Sequence, residues 1–276
     1  MKINPVLWLE LRVRVREKKL WIVSLLYLLC LMGMSTLSLM EGVNQIGVAI
    51  EPSSTGLTIF GFAIYTLLGL LVILAPLAGA GAISQEREQR TLPGLLNTTL
   101  APRPIVWGKV MAAWAFVLWL GALSLPFLVL GAIWGGISLE RLLLGIGLAL
   151  AAGLTSAMIA VGLSGFFRRT LTSYLSTGAV FFFWLIVWPI LGTLFESLFA
   201  RDNEAERKTA EHVIFYIFFA HHPVTPLLFS MFDEMGSTDY KPAYVICVAL
   251  GVWLVLSLFF FLLACRGLRR GLADKG

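Results

Sequence analysis

Metal-binding or acid–base chemistry would need the histidines and carboxylates that gather late in the chain. These residues are His212, His221, His222, Asp233, Glu234 and Asp239. Imidazole and carboxylate groups are the ordinary protein ligands of zinc and other transition metals. Their spacing matches no zinc or copper motif, and adjacent histidines on a helix would point in different directions. We therefore predict exposed loop histidines without a metal or catalytic site, and a metal-dependent membrane enzyme is the less favoured alternative.

A second charged cluster stands earlier, in the segment 84–109, which reads SQEREQRTLPGLLNTTLAPRPIVWGK. Four charged side chains would share one helical turn there: Glu86, Arg87, Glu88 and Arg90. Such side chains can pair with one another or with another protein. Thr91 is a suitable N-cap, with Pro93 in the first turn, for a short apolar helix that reaches Leu96 and ends before Pro102. The alternative is a solvated charge cluster that only fixes topology.

The sequence contains no glycine-rich loop of the kind that binds nucleotide phosphates. Gly108 and Lys109 match the end of such a loop only in part, because the upstream glycine and the following hydroxyl residue are missing. We therefore predict that this chain does not hydrolyse ATP by that route and carries no cofactor of its own.

The elements that would position these clusters are long uncharged stretches. We predict membrane spans at 20–40, 57–83, 110–137, 142–167, 170–198 and 242–265. A helix needs roughly 20 residues to cross a hydrocarbon layer of about 30 Å. The composition agrees, since 58% of the residues are apolar and 13% are charged. Because backbone groups must be satisfied within lipid and the apolar runs are continuous, the sequence predicts one all-α transmembrane domain over 1–276.

The basic residues predict which way the spans run. Of the 21 Lys and Arg residues, 16 fall on the face that carries both termini and 5 on the other face. The positive-inside rule then places both termini in the cytoplasm. A seventh span near 211–232 is disfavoured by Pro223 and Pro226, and it would move the basic C-terminus outside. We therefore predict an outer loop over 199–241 whose aromatic part re-enters or lies on the outer leaflet, and the net charge of +5 requires no nucleic-acid partner.

Residues 1–19 predict a helix that lies on the membrane surface. Six basic and two acidic side chains alternate there with apolar ones. Such a segment suits anionic lipid headgroups, with its long side chains reaching the interface. Leu9 to Arg16 alternates as a strand would, but Pro5 and the lack of an edge partner in a helical protein favour a helix. A basic flank that only sets topology is the alternative.

The segment 84–109 resembles the signature of the ABC type-2 exporter permease family. The matching positions are Glu86, Arg87, Glu88, Thr91, Leu92, Leu95, Leu96, Thr99, Pro102, Gly108 and Lys109. Asn4 and Pro5 followed by Glu10, Leu11 and Arg12 also resemble the start of many members. With six spans, the likeness covers essentially the whole chain. The sequence departs from the pattern at Arg90, where a glycine is frequent, and at Pro93, where an acid is frequent.

The resemblance implies a permease subunit that works beside a separate ATPase, which would bind the ATP and magnesium. It implies an interfacial N-terminal helix, a cytoplasmic coupling helix after span two, and a re-entrant element between spans five and six. It also implies a second permease, either an identical copy or a homologue. The residues that would contact the ATPase are Glu86, Arg87, Glu88, Thr91, Leu92, Leu95 and Leu96.

The resemblance places a substrate path between spans two and five, where five residues could line it: Tyr65, Thr66, Tyr174, Phe181 and Trp184. No charge lies in the interior of any predicted span, which disfavours an ion-coupled transporter and favours an amphipathic or lipid-like cargo. A subunit that transmits mechanical force to an outer partner without moving cargo is the alternative. The short loops are typical of a bacterial inner-membrane protein.

Overall fold

The structure, a computed structural model, describes residues 5–16, 18–44, 52–91, 101–198, 204–231 and 241–273. Within these ranges the chain is helical and contains no β-strand. Six helices are long and apolar enough to cross a membrane: Leu20–Leu37, Gly56–Glu88, Pro102–Trp134, Leu139–Phe166, Thr170–Leu198 and Pro242–Arg269. The prediction of an all-α membrane protein with six spans is confirmed.

The helices are numbered in chain order. They are α1 (Pro5–Arg16), α2 (Lys18–Asn44), α3 (Pro52–Ala80), α4 (Ser84–Glu88), α5 (Pro102–Trp134), α6 (Leu139–Phe166), α7 (Thr170–Phe182), α8 (Trp188–Leu198), α9 (Glu204–Ile214), α10 (Val224–Met231) and α11 (Pro242–Ala273). A π-helical turn, Phe183–Val187, joins α7 to α8, and these three pieces form the fifth span. A second π-helical turn, Phe215–Phe219, extends α9.

Proline marks the first residue of four helices. Pro5, Pro52, Pro102 and Pro242 begin α1, α3, α5 and α11. The first helical residue has no intrahelical partner for its N–H, so proline costs nothing there and its fixed φ suits the helix. The alternating residues Leu9 to Arg16 accordingly form part of a helix and not of a strand. The position of α1 on the membrane surface stays a prediction.

The segment between the fifth and sixth spans contains a bent pair of helices. Lys208–Phe219 and Val224–Ser230 meet at 116°. Pro223 lies at the bend, where it has no N–H to continue the helical hydrogen bonds. This geometry is that of a broken span or a re-entrant loop, so the six spans would become seven if the pair crossed the membrane. The predicted re-entry from the outer side stays a prediction.

The chain forms two compact units, of which the first contains residues Met1–Ala75 and Trp107–Leu154. Glycines allow its helices to pack closely. A Cβ atom on Gly131 of α5 would lie 2.7 Å from the backbone nitrogen of Phe60 in α3, and one on Gly56 would collide with Gly135. A Cβ on Gly153 of α6 would lie 2.8 Å from Val117. Close backbone approach of this kind is a main source of helix association in lipid.

The second unit contains residues Pro76–Val106 and Thr155–Gly276. Two of its helices, α6 and α11, pack closely at glycines. A Cβ on Gly162 would lie 2.7 Å from the carbonyl oxygen of Phe260, and one on Gly165 would lie 2.8 Å from Cα of Ala264. A Cβ on Gly267 would collide with the carbonyl group of Gly165. A larger residue at Gly162, Gly165 or Gly267 would separate the backbones of α6 and α11. The candidate site lies beside this contact.

Candidate coupling site at Arg87 and Glu88

The short helix α4 begins one turn beyond the end of α3 and is capped by a residue from α6. The backbone N–H groups of Ile83 and Ser84 both donate to Ser164 Oγ, at 2.9 and 3.0 Å. Ser164 in turn donates to Ser84 Oγ at 3.1 Å, and both serines are fully buried. The first N–H groups of a helix have no intrahelical partner, and Ile83 supplies no side-chain cap. Ser164 therefore fixes the start of α4 against α6.

The other end of α4 closes in a Schellman motif. The N–H of Thr91 donates to the carbonyl oxygen of Glu86 at 3.0 Å, and the N–H of Arg90 donates to that of Arg87 at 3.2 Å. Arg90 has a φ of 59°, the left-handed conformation that this motif requires after the C-cap. Glycine adopts that conformation without steric cost. Arg90, which departs from the motif that the segment resembles, thus stands at a position where glycine would be free of strain.

Arg87 connects α4 to the ends of two spans. Its guanidinium donates to the carbonyl oxygens of Phe167 at 2.9 Å and Gly165 at 3.2 Å, both at the C-terminal end of α6. It also donates to the carbonyl oxygen of Gly267 in α11 at 3.4 Å. The carbonyl groups of Gly165 and Phe167 stand at the end of α6, where they lack intrahelical donors and carry partial negative charge, whereas Gly267 lies within α11. One cation therefore binds α6 and α11 at once.

Glu88 makes the complementary contact with the next span. Its carboxylate Oε1 accepts a hydrogen bond from the backbone N–H of Thr170 at 3.0 Å. Thr170 is the first residue of α7, and Arg169 before it provides no side-chain cap. A carboxylate at a helix N-terminus is favoured by the unpaired N–H groups and by the helix dipole. The neighbouring charges Arg87 and Glu88 thus bind the C-terminus of α6 and the N-terminus of α7.

A third contact joins α7 to the end of α3. Ser173, which is fully buried, donates to the carbonyl oxygen of Ala80 at 2.6 Å. Gly81 follows Ala80, and a Cβ there would lie 2.9 Å from the hydroxyl oxygen of Tyr174. The hydroxyl of Thr177 donates to Ser173 O at 2.7 Å. The turn between α3 and α4 is therefore held against α7 as well as against α6.

The predicted ATPase-contact residues divide into three groups. Arg87 is half-buried and occupied with carbonyl groups of its own chain. Glu88 and Thr91 are exposed, although each also makes a hydrogen bond within the chain. Glu86 is half-buried and its backbone oxygen closes the Schellman motif. The predicted contacts Leu92, Leu95 and Leu96 and their short helix lie outside the described residues.

The predicted substrate-path residues fall in both compact units. Tyr65 and Thr66 belong to the first unit and are half-buried. The others belong to the second unit: Tyr174, Phe181 and Trp184. Phe181 and Trp184 are buried, with ring centroids 5.9 Å apart, and Trp184 lies in the π-helical turn. Within the described ranges, the Tyr65 hydroxyl and the Trp184 indole N–H are buried without a hydrogen-bond partner. Their role in a substrate path stays a prediction.

The far end of the fifth span is held by the histidines of the bent segment. Pro189 in α8 has no N–H, so the carbonyl oxygen of Leu185, four residues earlier, lacks its α-helical donor. His222 Nε2 lies 3.4 Å from that oxygen, while its Nδ1 accepts the N–H of Val224 at 3.4 Å. This arrangement fits the neutral imidazole with its proton on Nε2. His222 therefore replaces the hydrogen bond that Pro189 removes.

A second hydrogen bond runs in the opposite direction between the same elements. Trp188 Nε1, at the start of α8, donates to the carbonyl oxygen of Ile217 in the second π-helical turn at 3.4 Å. The Trp188 and Phe218 rings have centroids 5.1 Å apart, and a Cβ on Gly192 would lie 2.7 Å from Cβ of Phe218. Each π-helical turn thus offers a carbonyl group to a side chain of the other segment.

The histidines thereby have structural partners. Trp253 Nε1 of α11 donates to the backbone oxygen of His221 at 2.9 Å. Burial lowers the pKa of both His221 and His222 below the ordinary imidazole value, with the neighbouring imidazole adding to the effect at His221. Among the described residues, no three His, Cys, Asp or Glu side chains could hold a metal ion. The other predicted ligands, Asp233, Glu234 and Asp239, lie outside the described residues.

The first unit contains a buried ion pair that sequence reasoning did not predict. Lys109 Nζ lies 2.9 Å from Glu10 Oε1, and the Lys109 side chain is 1% exposed. Both residues belong to the family-like positions, but they are far apart in the chain and no local pattern pairs them. No local pattern pairs Ser164 with Ser84 or His222 with Leu185 either, since each pair is far apart in the chain. Only Pro189 gave a local signal, since it leaves one carbonyl group without a helical donor.

These features define a polytopic helical membrane protein in which a charged segment between two spans is bound to several other spans. The family model described as ABC-2 family transporter protein matches residues 4–266. The match covers nearly the whole chain, so the chain belongs to the ABC-2 family of transporter proteins, as its motif predicted. No curated protein matched the chain. The family places the chain in an ABC transporter as a multi-pass membrane component, with the ATPase activity in a separate subunit.

Proposed function

We propose that this chain is the permease subunit of an ABC exporter and that α4 receives the force of the ATPase. The observation that carries the proposal is the pair of contacts made by Arg87 and Glu88, which bind α4 to α6, α7 and α11. A displacement of α4 would therefore move the ends of three membrane helices together. Membership of the ABC-2 family supports a partner ATPase, to which ATP and magnesium would bind.

In this mechanism the ATPase docks on the exposed side of the segment 84–109. Gln85 and Glu88 in α4 and Gln89 after it are exposed and could meet the partner, together with the short helix predicted to begin after Thr91 and reach Leu96. Closure of two ATPase subunits would push the segment, and the packed helices would move as largely rigid bodies because close-packed interiors deform little. Glu86 to Leu96 would then be the coupling residues, with Arg87 transmitting force and the exposed residues receiving it.

The cargo of such an exporter would be amphipathic or lipid-like. The interiors of the six predicted spans lack charged side chains, so no fixed charge is available for an ion or a strongly ionic substrate. The buried indole N–H of Trp184 could donate one hydrogen bond to a polar group of the cargo. Two permease subunits, either identical or homologous, would form the path. We place them in a bacterial inner membrane with both termini in the cytoplasm.

The coupling role can be tested with the permease assembled with its ATPase in lipid nanodiscs. Arg87→Ala should leave the complex assembled, because Arg87 faces its own chain. It should reduce the movement of the ends of α6, α7 and α11 that nucleotide binding causes. Spin labels on the ends of these helices, with and without a non-hydrolysable ATP analogue, measure that movement as a change in distance. Arg87→Lys keeps the charge but cannot bind three carbonyl groups with one planar fork. It should show an intermediate loss.

The matched control is Glu140→Gln, which removes a carboxylate from the first turn of α6, at its opposite end. It should change neither assembly nor the nucleotide-dependent distances. Glu86→Gln and Glu88→Gln separate docking from transmission, since a docking residue weakens assembly and a transmitting residue does not. If Arg87→Ala preserves the full nucleotide-dependent distance change, the proposed route through Arg87 is wrong.

A mechanical subunit that acts on an outer partner is the second candidate. The observation that favours it is the attachment of the bent segment to the far end of the fifth span through Trp188 and His222. Motion of α7 and α8 would carry this segment with them. The two functions differ in proteoliposomes of the whole complex. An exporter moves labelled lipid-like compounds in an ATP-dependent way, whereas a mechanical subunit changes only the distance between labels on α9 and α11.

A further inference from the structure

An apolar groove of about 250 Å³ lies in the first unit between α1, α2 and α5. It is lined by Leu11, Val15, Leu20, Trp21, Ala112, Ala115, Phe116 and Trp119. The polar atoms of its tryptophans are already bound. Trp21 Nε1 donates to the carbonyl oxygen of Val15 at 3.1 Å, and Trp119 Nε1 donates to Ser24 Oγ at 2.9 Å. The groove therefore presents hydrocarbon and aromatic surface to whatever occupies it.

The apolar lining of the groove favours a hydrocarbon chain over an extended protein segment, whose peptide groups would lose their hydrogen bonds to water on burial there. An acyl chain is thinner and can follow an open groove along its length. The edge-to-face pair of Trp21 and Trp119, with centroids 6.0 Å apart, gives the groove a rigid wall.

Positive charge is concentrated at one end of the groove. Arg16 and Lys18 stand at the junction of α1 and α2, next to the lining residues Val15 and Leu20 in the chain, and both are exposed. Within the described ranges neither forms an ion pair. Arg12 is engaged differently, since its guanidinium carbon lies 5.2 Å from the centroid of the Trp8 ring. Among the described side chains, Arg16 and Lys18 are thus two cations available to an anionic group at this end.

We propose that the groove binds one acyl chain of an anionic phospholipid, with the lipid phosphate at the junction of α1 and α2 beside Arg16 and Lys18. The apolar lining selects the chain and the two cations select the headgroup charge. The bound lipid would join α1 to α5 and supplement the Lys109–Glu10 ion pair that already connects them. This site does not depend on the proposed export function or on its direction.

Tryptophan fluorescence in nanodiscs tests the site on the full-length protein. Lipids with brominated acyl chains quench tryptophans that they touch, and Trp21 and Trp119 line the groove. Subtracting the signal of the double variant Trp21→Phe, Trp119→Phe isolates these two residues. The probes are brominated phosphatidylglycerol and brominated phosphatidylcholine, each titrated into unlabelled phosphatidylcholine. Each cation near an anionic lipid is worth roughly a fivefold change in affinity, so half-maximal quenching should need about 25-fold less phosphatidylglycerol.

Two variants assign that preference to the groove. Arg16→Gln with Lys18→Gln should abolish the difference between the two lipids while leaving quenching by both. Ala115→Phe should fill the groove and remove the quenching itself. Its matched control is Gly33→Phe, which adds the same ring on α2 where no atom lies within 4 Å of a Cβ. Ala115→Leu provides a smaller filling residue should the phenylalanine variant fail to fold.

Two results would overturn the proposal. Equal quenching by the two lipids in the wild-type protein would mean that only ordinary annular lipid reaches these tryptophans. An absence of quenching by either lipid would mean that the groove is closed or filled by another protein segment.

Discussion

The two ends of the fifth span are both fixed by hydrogen bonds to backbone groups, but the donors and acceptors differ in kind. At the start of α7, the carboxylate of Glu88 binds the N–H of Thr170, and Arg87 beside it binds the end of α6. At α8, the neutral side chains of Trp188 and His222 exchange hydrogen bonds with two π-helical turns. The first end uses ionised groups and the second uses neutral ones.

The difference follows from where each backbone group becomes unsatisfied. Helix termini expose several N–H or C=O groups whose partial charges attract full charges, and water near the membrane surface reduces the cost of ionisation. Pro189 instead frees a single carbonyl group within a helix. A charged donor there would have to be desolvated, whereas a neutral imidazole or indole N–H costs less to bury. Under the proposed function, force would enter through the ionic contact and leave through the uncharged one.

The largest effect should come from separating α6 and α11 at the ionic end. Gly267→Val would push a side chain into the backbone of Gly165, which is an Arg87 acceptor. Overpacking costs about 1 to 3 kcal/mol or more, and the Arg87 contacts would be lost as well. We expect a large drop in the yield of folded protein and in its unfolding temperature in detergent. Gly251→Val, on the same helix with nothing within 4 Å, should fold normally.

Removal of the Arg87 guanidinium should have the second-largest effect on stability. Arg87→Ala leaves the carbonyl groups of Phe167, Gly165 and Gly267 without this donor. Hydrogen bonds to charged groups contribute about 1.5 to 3 kcal/mol each, but three bonds to one half-buried side chain are not additive. We expect a loss of about 2 to 3 kcal/mol in the free energy of unfolding, measured by titration with a denaturing detergent. A loss below about 0.5 kcal/mol would show that water replaces these contacts.

The uncharged end can be tested with a double-mutant cycle. His222→Ala should cost about 1 to 3 kcal/mol, because the Leu185 carbonyl loses its donor. Pro189→Ala restores an N–H four residues after Leu185, so His222→Ala should cost less in that background. A coupling free energy near zero would mean that His222 does not compensate for the proline. His222→Gln keeps an amide donor, so its stability should lie between that of the wild type and that of His222→Ala.

Acidification should weaken the uncharged end as well. Burial lowers the pKa of His222 below its ordinary value near 6.5, so the unfolded chain binds more protons than the folded chain around that pH. Stability from this group is therefore present above about pH 6.5 and declines as the pH falls below it. Unfolding temperatures measured between about pH 5 and pH 8 should vary less for His222→Gln than for the wild type. His221 contributes in the same direction.

The smallest effect should be a stabilisation at the ionic end. Arg90→Gly replaces a residue at φ 59° with one that adopts this conformation freely. The gain should be about 0.5 to 1 kcal/mol, since relief of steric strain exceeds the added entropy of the unfolded chain. A matched change, Gln89→Gly, lies one residue earlier at φ −75° and should destabilise the protein. If both variants behave alike, the Schellman ending does not constrain α4.

Much of the architecture could be predicted from particular residues. The uncharged runs predicted six helical spans, Pro223 predicted a break in the segment after the fifth span, and the charged triplet predicted the family. The candidate site was predictable only in part. The sequence places Glu86, Arg87 and Glu88 together as a charged cluster, but the partners of Arg87 and Glu88 are backbone carbonyl and N–H groups of distant helices. A sequence pattern identifies a charge and does not show which helix terminus lies opposite it.

The sequence by itself determined that this protein is a helical membrane protein, because hydrophobic length and backbone satisfaction in lipid act locally along the chain, and its motif indicated the ABC-2 family. Tertiary structure alone decided that Ser164 caps α4, that Arg87 binds α6 and α11, that Lys109 pairs with Glu10, and that His222 replaces the hydrogen bond lost at Pro189. These contacts join residues far apart in the chain, and their geometry is set by close helix packing at glycines. The local sequence shows which groups need a hydrogen-bond or ion-pair partner, whereas packing determines which residue supplies it.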